Sequence, residues 1–196
     1  MKSISSYMRC CMLTAAVCLL CGVASPDPAT AQSASDTNGD DAAEMALTEV
    51  YNWTKISDQL ASSGQIAYDQ IELLKQAGYE VVVNLATASE GSNALEGFLV
   101  TQQGLTYVQI PVPFSSPPMR DLEMFFDVME MSEGRKVYVH CAANMRASAF
   151  VYLYRTLVKG VPEEEALADM HQIWDPTENE AWGNLVRTAK EHYALR

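Results

Sequence analysis

Short β-branched segments alternate with amphipathic helices along most of this chain, and that alternation restricts the possible folds more than any other feature. The segments 80–86, 105–112 and 136–140 are apolar almost without interruption, which is typical of strands buried on both faces. A weaker first strand is predicted around residues 53–60. Strands of this kind belong to parallel sheets whose two faces are both covered.

Five helices are predicted between and after the strands, because apolar residues recur there every three or four positions. They cover residues 67–77, 121–132, 145–159, a segment that begins at Pro162, and residues 178–194. Together the strands and helices predict one α/β domain over residues 51–196, in which a mostly parallel central sheet carries helices on both faces.

The first 31 residues have the pattern of a secretory signal peptide. Lys2 and Arg9 precede an uncharged run of about 15 residues, which is too short to span a bilayer comfortably, and an A-T-A cleavage site ends at Ala31. We therefore predict cleavage after Ala31, export to the periplasm or beyond, and no stable membrane insertion of the mature chain. Residues 32–50 are rich in Ala, Ser, Asp and Glu and are predicted to form a flexible acidic leader, with a helix as the alternative near residues 44–50.

Charge and motifs exclude several classes of function. The chain has 13 Lys and Arg against 25 Asp and Glu, a formal net charge of −12, so its electrostatic field repels nucleic acids. Neither of the common glycine-rich nucleotide-binding motifs is present, and His171 and His192 lack metal-ligand spacing. We therefore expect no nucleic-acid partner, no metal and no cofactor.

Cys141 has the surroundings that point most directly to chemistry. Signal cleavage would remove the other four cysteines and leave Cys141 as the only thiol of the mature chain. The segment 136–148, KVYVHCAANMRAS, runs from a predicted strand into a predicted helix, with Cys141 at the turn. Ligands bind at this edge of open α/β sheets. The next four residues would present their backbone amides to an anion at the positive end of the helix, and they are Ala142, Ala143, Asn144 and Met145.

Arg146 adds a cation to this predicted cradle. Its planar guanidinium group can bind two oxygens of a tetrahedral anion. A thiol, a set of amide donors and a bidentate cation within six residues are the groups that covalent transfer of an oxyanion requires.

The loop sequence VHCAANMRAS, residues 139–148, resembles the active-site loop of cysteine-dependent protein tyrosine and dual-specificity phosphatases. Residues 59–65, the helix that ends at Gly78 and the strand at 81–85 are similar to a bacterial branch of that superfamily. This branch includes the phosphatase-like domain of beta-lactamase-hydrolase-like proteins. The resemblance covers residues 53–174. It implies a three-layer fold, a phosphocysteine mechanism, and a phosphorylated protein or small molecule as partner.

The resemblance also implies individual roles. Cys141 would be the nucleophile and Arg146 the phosphate clamp. Ser148 would supply a hydroxyl that eases departure of the thiolate, and His140 would favour the thiolate. The expected substrate is a phosphate monoester, either phosphotyrosine-like or a small aryl phosphate.

The loop departs from the phosphatase pattern in its length. Four residues separate Cys141 from Arg146, whereas the phosphatases have five. A shorter loop encloses a smaller cradle, which suits the sulfur-carrying loops of rhodanese-like proteins at least as well. Sulfur transfer through a Cys141 persulfide is therefore the first alternative.

The expected general acid is also absent from its usual place. Residues 110–118, IPVPFSSPP, contain no carboxylate. Asp121 is the nearest candidate for the acid, although an N-terminal helix charge explains it better, and Asp175 is a second, which fits equally well as a turn residue at the end of a helix. A non-catalytic domain that binds an anion in the cradle is therefore the second alternative.

Overall fold

The computed structural model describes residues 39–88 and 93–195. Five strands are present in this part of the chain: β1 Thr54–Ser57, β2 Leu60–Ser63, β3 Val81–Asn84, β4 Thr106–Gln109 and β5 Val137–His140. Residues 39–47 form helix α1. The other α-helices are α2 Ile71–Gln76, α3 Glu96–Gln102, α4 Met119–Met131, α5 Met145–Leu157, α6 Glu163–Met170 and α7 Glu180–Ala194, with 3-10 turns at Tyr68–Gln70 and Pro176–Glu178. None of the described helices is long and apolar enough to cross a membrane.

The strands form one sheet in the order β1-β2-β5-β3-β4. Only the pair β1 and β2 is antiparallel; β2, β5, β3 and β4 run parallel. The predicted mostly parallel sheet is therefore confirmed. Its register places the last residues of the parallel strands in one row, in the order Ser63, His140, Asn84 and Gln109. The segment that follows β5 thus leaves the sheet at its centre, at the carboxyl edge.

Helices cover both faces of the sheet, as predicted. On one face, α4, α5, α6 and α7 enclose the larger apolar cluster, which includes Val83, Val139, Phe125, Phe150 and Trp182. On the other face, α1, α2 and α3 pack on a second cluster around alternate strand residues. Because consecutive strand residues point to opposite faces, Val139 belongs to the first cluster and Tyr138 to the second.

Two elements differ from the sequence prediction. The single strand predicted around residues 53–60 is a hairpin, in which β1 pairs with β2. Strand β2 has the sequence LASS, whose small and polar side chains give no apolar pattern although all four residues are buried. Helix α3 was not predicted, because its seven residues are too few to establish a clear helical period.

The second half of the acidic leader predicted for residues 32–50 forms part of the folded domain. Residues 39–47 are helical, which agrees with the alternative of a helix in this part and begins it earlier, and Ala43, Leu47 and Val50 are buried in the core. These three residues follow helical spacing. Residues 32–38 and the predicted signal peptide, 1–31, lie outside the described residues, and their assignment stays a prediction.

Candidate active site

Cys141 follows the central strand β5 directly and lies at the carboxyl edge of the sheet. Its backbone amide donates a hydrogen bond to the Ser63 carbonyl at 3.3 Å, which ties the first loop residue to the neighbouring strand β2. The residue is 1% exposed and carries a free thiol. The thiol therefore lies at the base of the loop, within the larger apolar cluster.

The loop after Cys141 is held by backbone contacts with the segment 51–65. The Gln65 amide donates to the Ala142 carbonyl at 3.1 Å, and Gly64 forms an isolated β-bridge with Ala143. A Cβ atom at Gly64 would lie 2.9 Å from the Tyr51 carbonyl oxygen and 3.0 Å from the Ala142 oxygen. Only glycine permits this close approach.

Asn144 makes the turn from the loop into α5. Its φ of 64° is left-handed, a conformation that asparagine tolerates better than most residues and that a phosphatase-like loop commonly gives to glycine. Its side-chain amide donates to the Asn52 carbonyl at 2.7 Å, and Asn52 donates in return to the Ala143 carbonyl at 3.1 Å. The Asn144 side chain thus ties the loop to residue 52 and makes no capping hydrogen bond to α5.

Arg146 lies in the first turn of α5 and is 4% exposed. One of its terminal nitrogens donates to the Val112 carbonyl at 3.1 Å, and its guanidinium carbon lies 6.0 Å from the centre of the Phe114 ring. These contacts place the guanidinium between the Cys141 loop and the segment that follows β4. Arg146 is thus held in a fixed position at the start of α5.

Trp174 forms a hydrogen bond with the first residue of α5, and the sequence analysis did not identify this role. Its indole nitrogen donates to the Met145 carbonyl at 2.9 Å, and Ser148 donates to the same carbonyl at 3.2 Å. The Trp174 ring also packs against Phe114 and Trp182, with ring centres 5.8 and 5.5 Å apart. Phe114, Trp174 and Trp182 therefore form a packed aromatic cluster beside Arg146.

His140 lies beneath the loop, on the opposite face of the sheet from Val139. It is fully buried, and its Nε2 atom lies 2.7 Å from an oxygen of Glu96, which is itself fully buried. Glu96 belongs to α3, so the sequence analysis identified neither the helix nor the carboxylate. His140 and Cys141 are thus adjacent at the end of β5, and Arg146 and Ser148 lie in the first turn of α5. Glu96 contacts His140 from a distant segment.

Asp121 lies in the first turn of α4 and is 3% exposed. One of its oxygens accepts hydrogen bonds from the Arg120 guanidinium, at 2.7 and 3.0 Å. The pairing engages one oxygen of the carboxylate with the adjacent residue. The role of general acid stays a prediction for Asp121.

Asp175 is the N-terminal cap of the 3-10 turn Pro176–Glu178. Its carboxylate accepts from the hydroxyl and the backbone amide of Thr177, at 2.7 and 2.8 Å, and these bonds hold its pKa below the usual range. It lines a cavity of about 200 Å³ together with Glu163 and Lys190, between α6 and α7. The structure therefore gives Asp175 a structural contact and does not join it to the Cys141 loop.

The described residues, 39–88 and 93–195, contain no group of three or more His, Cys, Asp or Glu side chains that could hold a metal ion. The chemistry that this part of the chain offers is that of a thiol, backbone amides and a guanidinium group. These are groups for binding and transferring an oxyanion.

Comparison with known proteins shows the family to which this chain belongs. The family model described as DSP-PTPase phosphatase fused to NAD+ kinase matches residues 43–184. Among curated proteins, no sequence matches the chain significantly. A DUF442 protein from Shewanella putrefaciens CN-32, named as a candidate phosphatase, is 38% identical with a TM-score of 0.69, over 75% of this chain and 96% of that chain.

More distant structures share the fold. Tk-PTP in its active form is 20% identical, with a TM-score of 0.61, over 71% of this chain and 97% of that one. A variant of TpbA from P. aeruginosa, solved in complex with pTyr, is 18% identical, with a TM-score of 0.56, over 69% of this chain and 83% of that one. At these identities the likeness shows the α/β phosphatase fold alone.

Proposed function

This chain belongs to the family described as DSP-PTPase phosphatase fused to NAD+ kinase, within the cysteine-dependent phosphatase superfamily, and from that premise we propose that it hydrolyses phosphate monoesters with Cys141 as the nucleophile. The observation that carries the proposal is the loop geometry. A buried thiol lies at the turn from the central strand into α5, and the buried Arg146 lies in the first turn of that helix.

The proposed reaction has two steps. The Cys141 sulfur attacks phosphorus, the ester P–O bond breaks, and the leaving oxygen takes a proton from solvent. Water then attacks the phosphocysteine, the P–S bond breaks, and phosphate leaves while the thiolate re-forms. Arg146 and the loop amides would stabilise the negative charge on the equatorial oxygens in both steps.

An aryl phosphate, either phosphotyrosine-like or a small molecule, is the proposed substrate class. Residues 110–118 contain no carboxylate, Asp121 is paired with Arg120, and Asp175 is bonded to Thr177. Without a general acid, the leaving group must depart with little protonation, which aryl oxides do far better than alkoxides. No contact of the described residues favours sulfur transfer or mere anion binding over this chemistry.

The test of this proposal compares leaving groups on the full chain. We expect saturable hydrolysis of p-nitrophenyl phosphate and a kcat/KM for an alkyl monoester, such as glycerol 2-phosphate, that is lower by about 100-fold or more, because a general acid would contribute roughly that much. Initial rates with both substrates between pH 5 and 8 measure the difference. Absence of hydrolysis of both monoesters would contradict the proposal.

Asp121→Asn extends the same comparison. Because Arg120 already engages the carboxylate, the substitution should change kcat/KM by less than about fivefold with either substrate. Asp127→Asn on the exposed side of the same helix is the matched control. A loss of tenfold or more that is confined to the alkyl ester would show instead that Asp121 is the acid.

We propose that the chain is exported, on the strength of its signal-peptide pattern. Protein recovered from the periplasm or medium of a Gram-negative host should begin at Gln32, because cleavage follows Ala31. Intact mass and N-terminal sequencing measure this. Soluble cytoplasmic protein that retains residues 1–31 as its only form would refute the assignment.

A further inference from the structure

Asn52 joins the turn between α1 and β1 to the Cys141 loop through a reciprocal pair of hydrogen bonds. The Asn144 side-chain amide donates to the Asn52 carbonyl at 2.7 Å, and the Asn52 side-chain amide donates to the Ala143 carbonyl at 3.1 Å. Asn52 and Asn144 are 92 positions apart in the chain. Each asparagine therefore uses its side chain to hold the backbone of the other segment.

Both asparagines of this pair have a left-handed backbone. Within residues 39–88 and 93–195 they are the two non-glycine residues with a positive φ, which is 54° at Asn52 and 64° at Asn144. This conformation strains a residue that has a Cβ atom, and asparagine tolerates it better than most. Such strain persists only where neighbouring contacts hold it, and it is concentrated at functional sites. Here both strained residues meet in one contact, on the loop that begins at Cys141.

The turn that carries Asn52 is anchored independently of the loop. The Trp53 amide donates to the Val50 carbonyl at 3.0 Å, and the Tyr51 carbonyl accepts from the Gly64 amide at 2.7 Å. Val50 is buried, and the Trp53 ring packs against the second apolar cluster. The turn is therefore a fixed frame against which the loop is held.

Asn144 determines how the loop enters α5. It is fully buried, and its carbonyl accepts from the Ser148 amide at 2.8 Å, which begins the hydrogen-bond pattern of the helix. Arg146 lies two positions further on, and four residues connect it to Cys141. Because this connection is short, a change in the Asn144 backbone would move the Arg146 guanidinium relative to the Cys141 sulfur.

We propose that Asn52 is a positioning residue for the Cys141 loop: its two hydrogen bonds hold Asn144 in the left-handed conformation and thereby fix Arg146 relative to the Cys141 sulfur. This inference rests on the proposed function, because the relative position of the two groups matters where both act on one phosphoryl group. Asn52 acts through the loop and not on the substrate.

The test removes the Asn52 side chain and keeps its backbone, in full-length variants. Asn52→Gly retains the carbonyl that accepts from Asn144 and adopts the same φ without strain, so it removes only the donor to Ala143. Asn52→Asp tolerates the same backbone but places an acceptor against the Ala143 carbonyl. Gln76→Gly is the matched control, because it replaces an exposed amide, which bonds Glu72 within α2, by a helix-destabilising glycine.

We expect Asn52→Gly to lower kcat for p-nitrophenyl phosphate about tenfold and Asn52→Asp to lower it further, with KM within about threefold in both. The loss falls on kcat because a misplaced guanidinium loses more contact with the transition state than with the substrate. Gln76→Gly should lower the melting temperature and keep kcat within about twofold. Steady-state rates are measured well below the lowest melting temperature, so that every variant is folded.

The conformation of Asn144 is measured separately, without turnover. A strong nuclear Overhauser effect between the amide and α hydrogens of one residue is the signature of a positive φ, and ¹⁵N-edited spectra report it for Asn144. We expect a strong effect in the unaltered protein and in Gln76→Gly. In Asn52→Gly and Asn52→Asp the effect should weaken, because Asn144 is no longer held from both sides.

Three results would overturn the inference. The first is a kcat of both Asn52 variants equal to that of the control, and the second is an Overhauser effect at Asn144 that stays unchanged in both. The third is failure of both Asn52 variants to fold, because the two bonds would then serve the fold as a whole and not the position of the loop.

The two measurements also separate this inference from the phosphatase proposal. If the unaltered chain hydrolyses neither monoester, the phosphatase proposal fails, and a weaker Overhauser effect in the Asn52 variants would still show that Asn52 holds the loop. If the unaltered chain hydrolyses p-nitrophenyl phosphate and both Asn52 variants match its kcat, the Asn52 inference alone fails.

Discussion

Replacing Cys141 by Ser should reduce hydrolysis of p-nitrophenyl phosphate to the uncatalysed rate, while the protein stays folded. A hydroxyl in this position is far less ionised than a thiol and therefore a far weaker nucleophile. The change in shape is small. Burying a hydroxyl in place of the thiol, which is 1% exposed, should lower the free energy of unfolding by only about 1–3 kcal/mol.

The other cysteines provide the control for this prediction. A full-length variant in which Cys10, Cys11, Cys18 and Cys21 are all serine should retain the rate of the unaltered chain. Initial rates and thermal unfolding of both variants are measured together. Residual saturable hydrolysis by folded Cys141→Ser would assign the reaction to another group and remove the basis of the proposed mechanism.

The second large effect is expected at Arg146. Lysine keeps the positive charge but not the planar pair of donors, so Arg146→Lys should lower kcat/KM for p-nitrophenyl phosphate by about 100-fold or more. Most of the loss should appear in kcat, because the guanidinium would bind the transition state more tightly than the substrate. Steady-state kinetics measure the two parameters separately.

Arg155 on the same helix is the matched control for Arg146. It is also buried, and its guanidinium bonds Asp169 at 2.5 Å and Glu165 at 3.0 Å, both on α6. Arg155→Lys should therefore lower the melting temperature and leave kcat/KM of the folded protein within about twofold. Equal losses of kcat/KM in both variants would mean that Arg146 acts on packing and not on the phosphate.

The parts of this molecule that the sequence predicted are those with local patterns. Strands β3 and β5 are nearly continuous apolar runs, β4 lies within the predicted segment 105–112, and helix α5 begins at the predicted turn, one residue before Arg146. The loop residues from His140 to Ser148 are adjacent in the chain, so their neighbourhood in space follows from one turn between strand and helix.

The parts that were missed depend on contacts between distant segments. Strand β2 is buried through its pairing with β1 and β5 and not through apolar side chains. Glu96 looks like any surface glutamate in sequence, because its partners Gln65, Asn84 and His140 are 31, 12 and 44 positions away. A buried carboxylate is stable only when such donors converge on it, and no single segment encodes that convergence.

The two aspartates show how little residue type and position in the chain say about a general acid. Asp121 bonds the adjacent Arg120, and Asp175 bonds Thr177 two positions on. Local pairings of this kind are common at helix starts. The role of general acid therefore stays a prediction, which the kinetics of Asp121→Asn test.

Direct detection of the covalent intermediate tests the central claim. The full chain is mixed with p-nitrophenyl phosphate, quenched with denaturant within the first turnover and digested with trypsin, and peptide 137–146 is examined by mass spectrometry. We predict a transient gain of one phosphoryl group on Cys141 of this peptide, absent from Cys141→Ser. Turnover without phosphate on the peptide would contradict the mechanism, as would a sulfur atom added to Cys141 in its place.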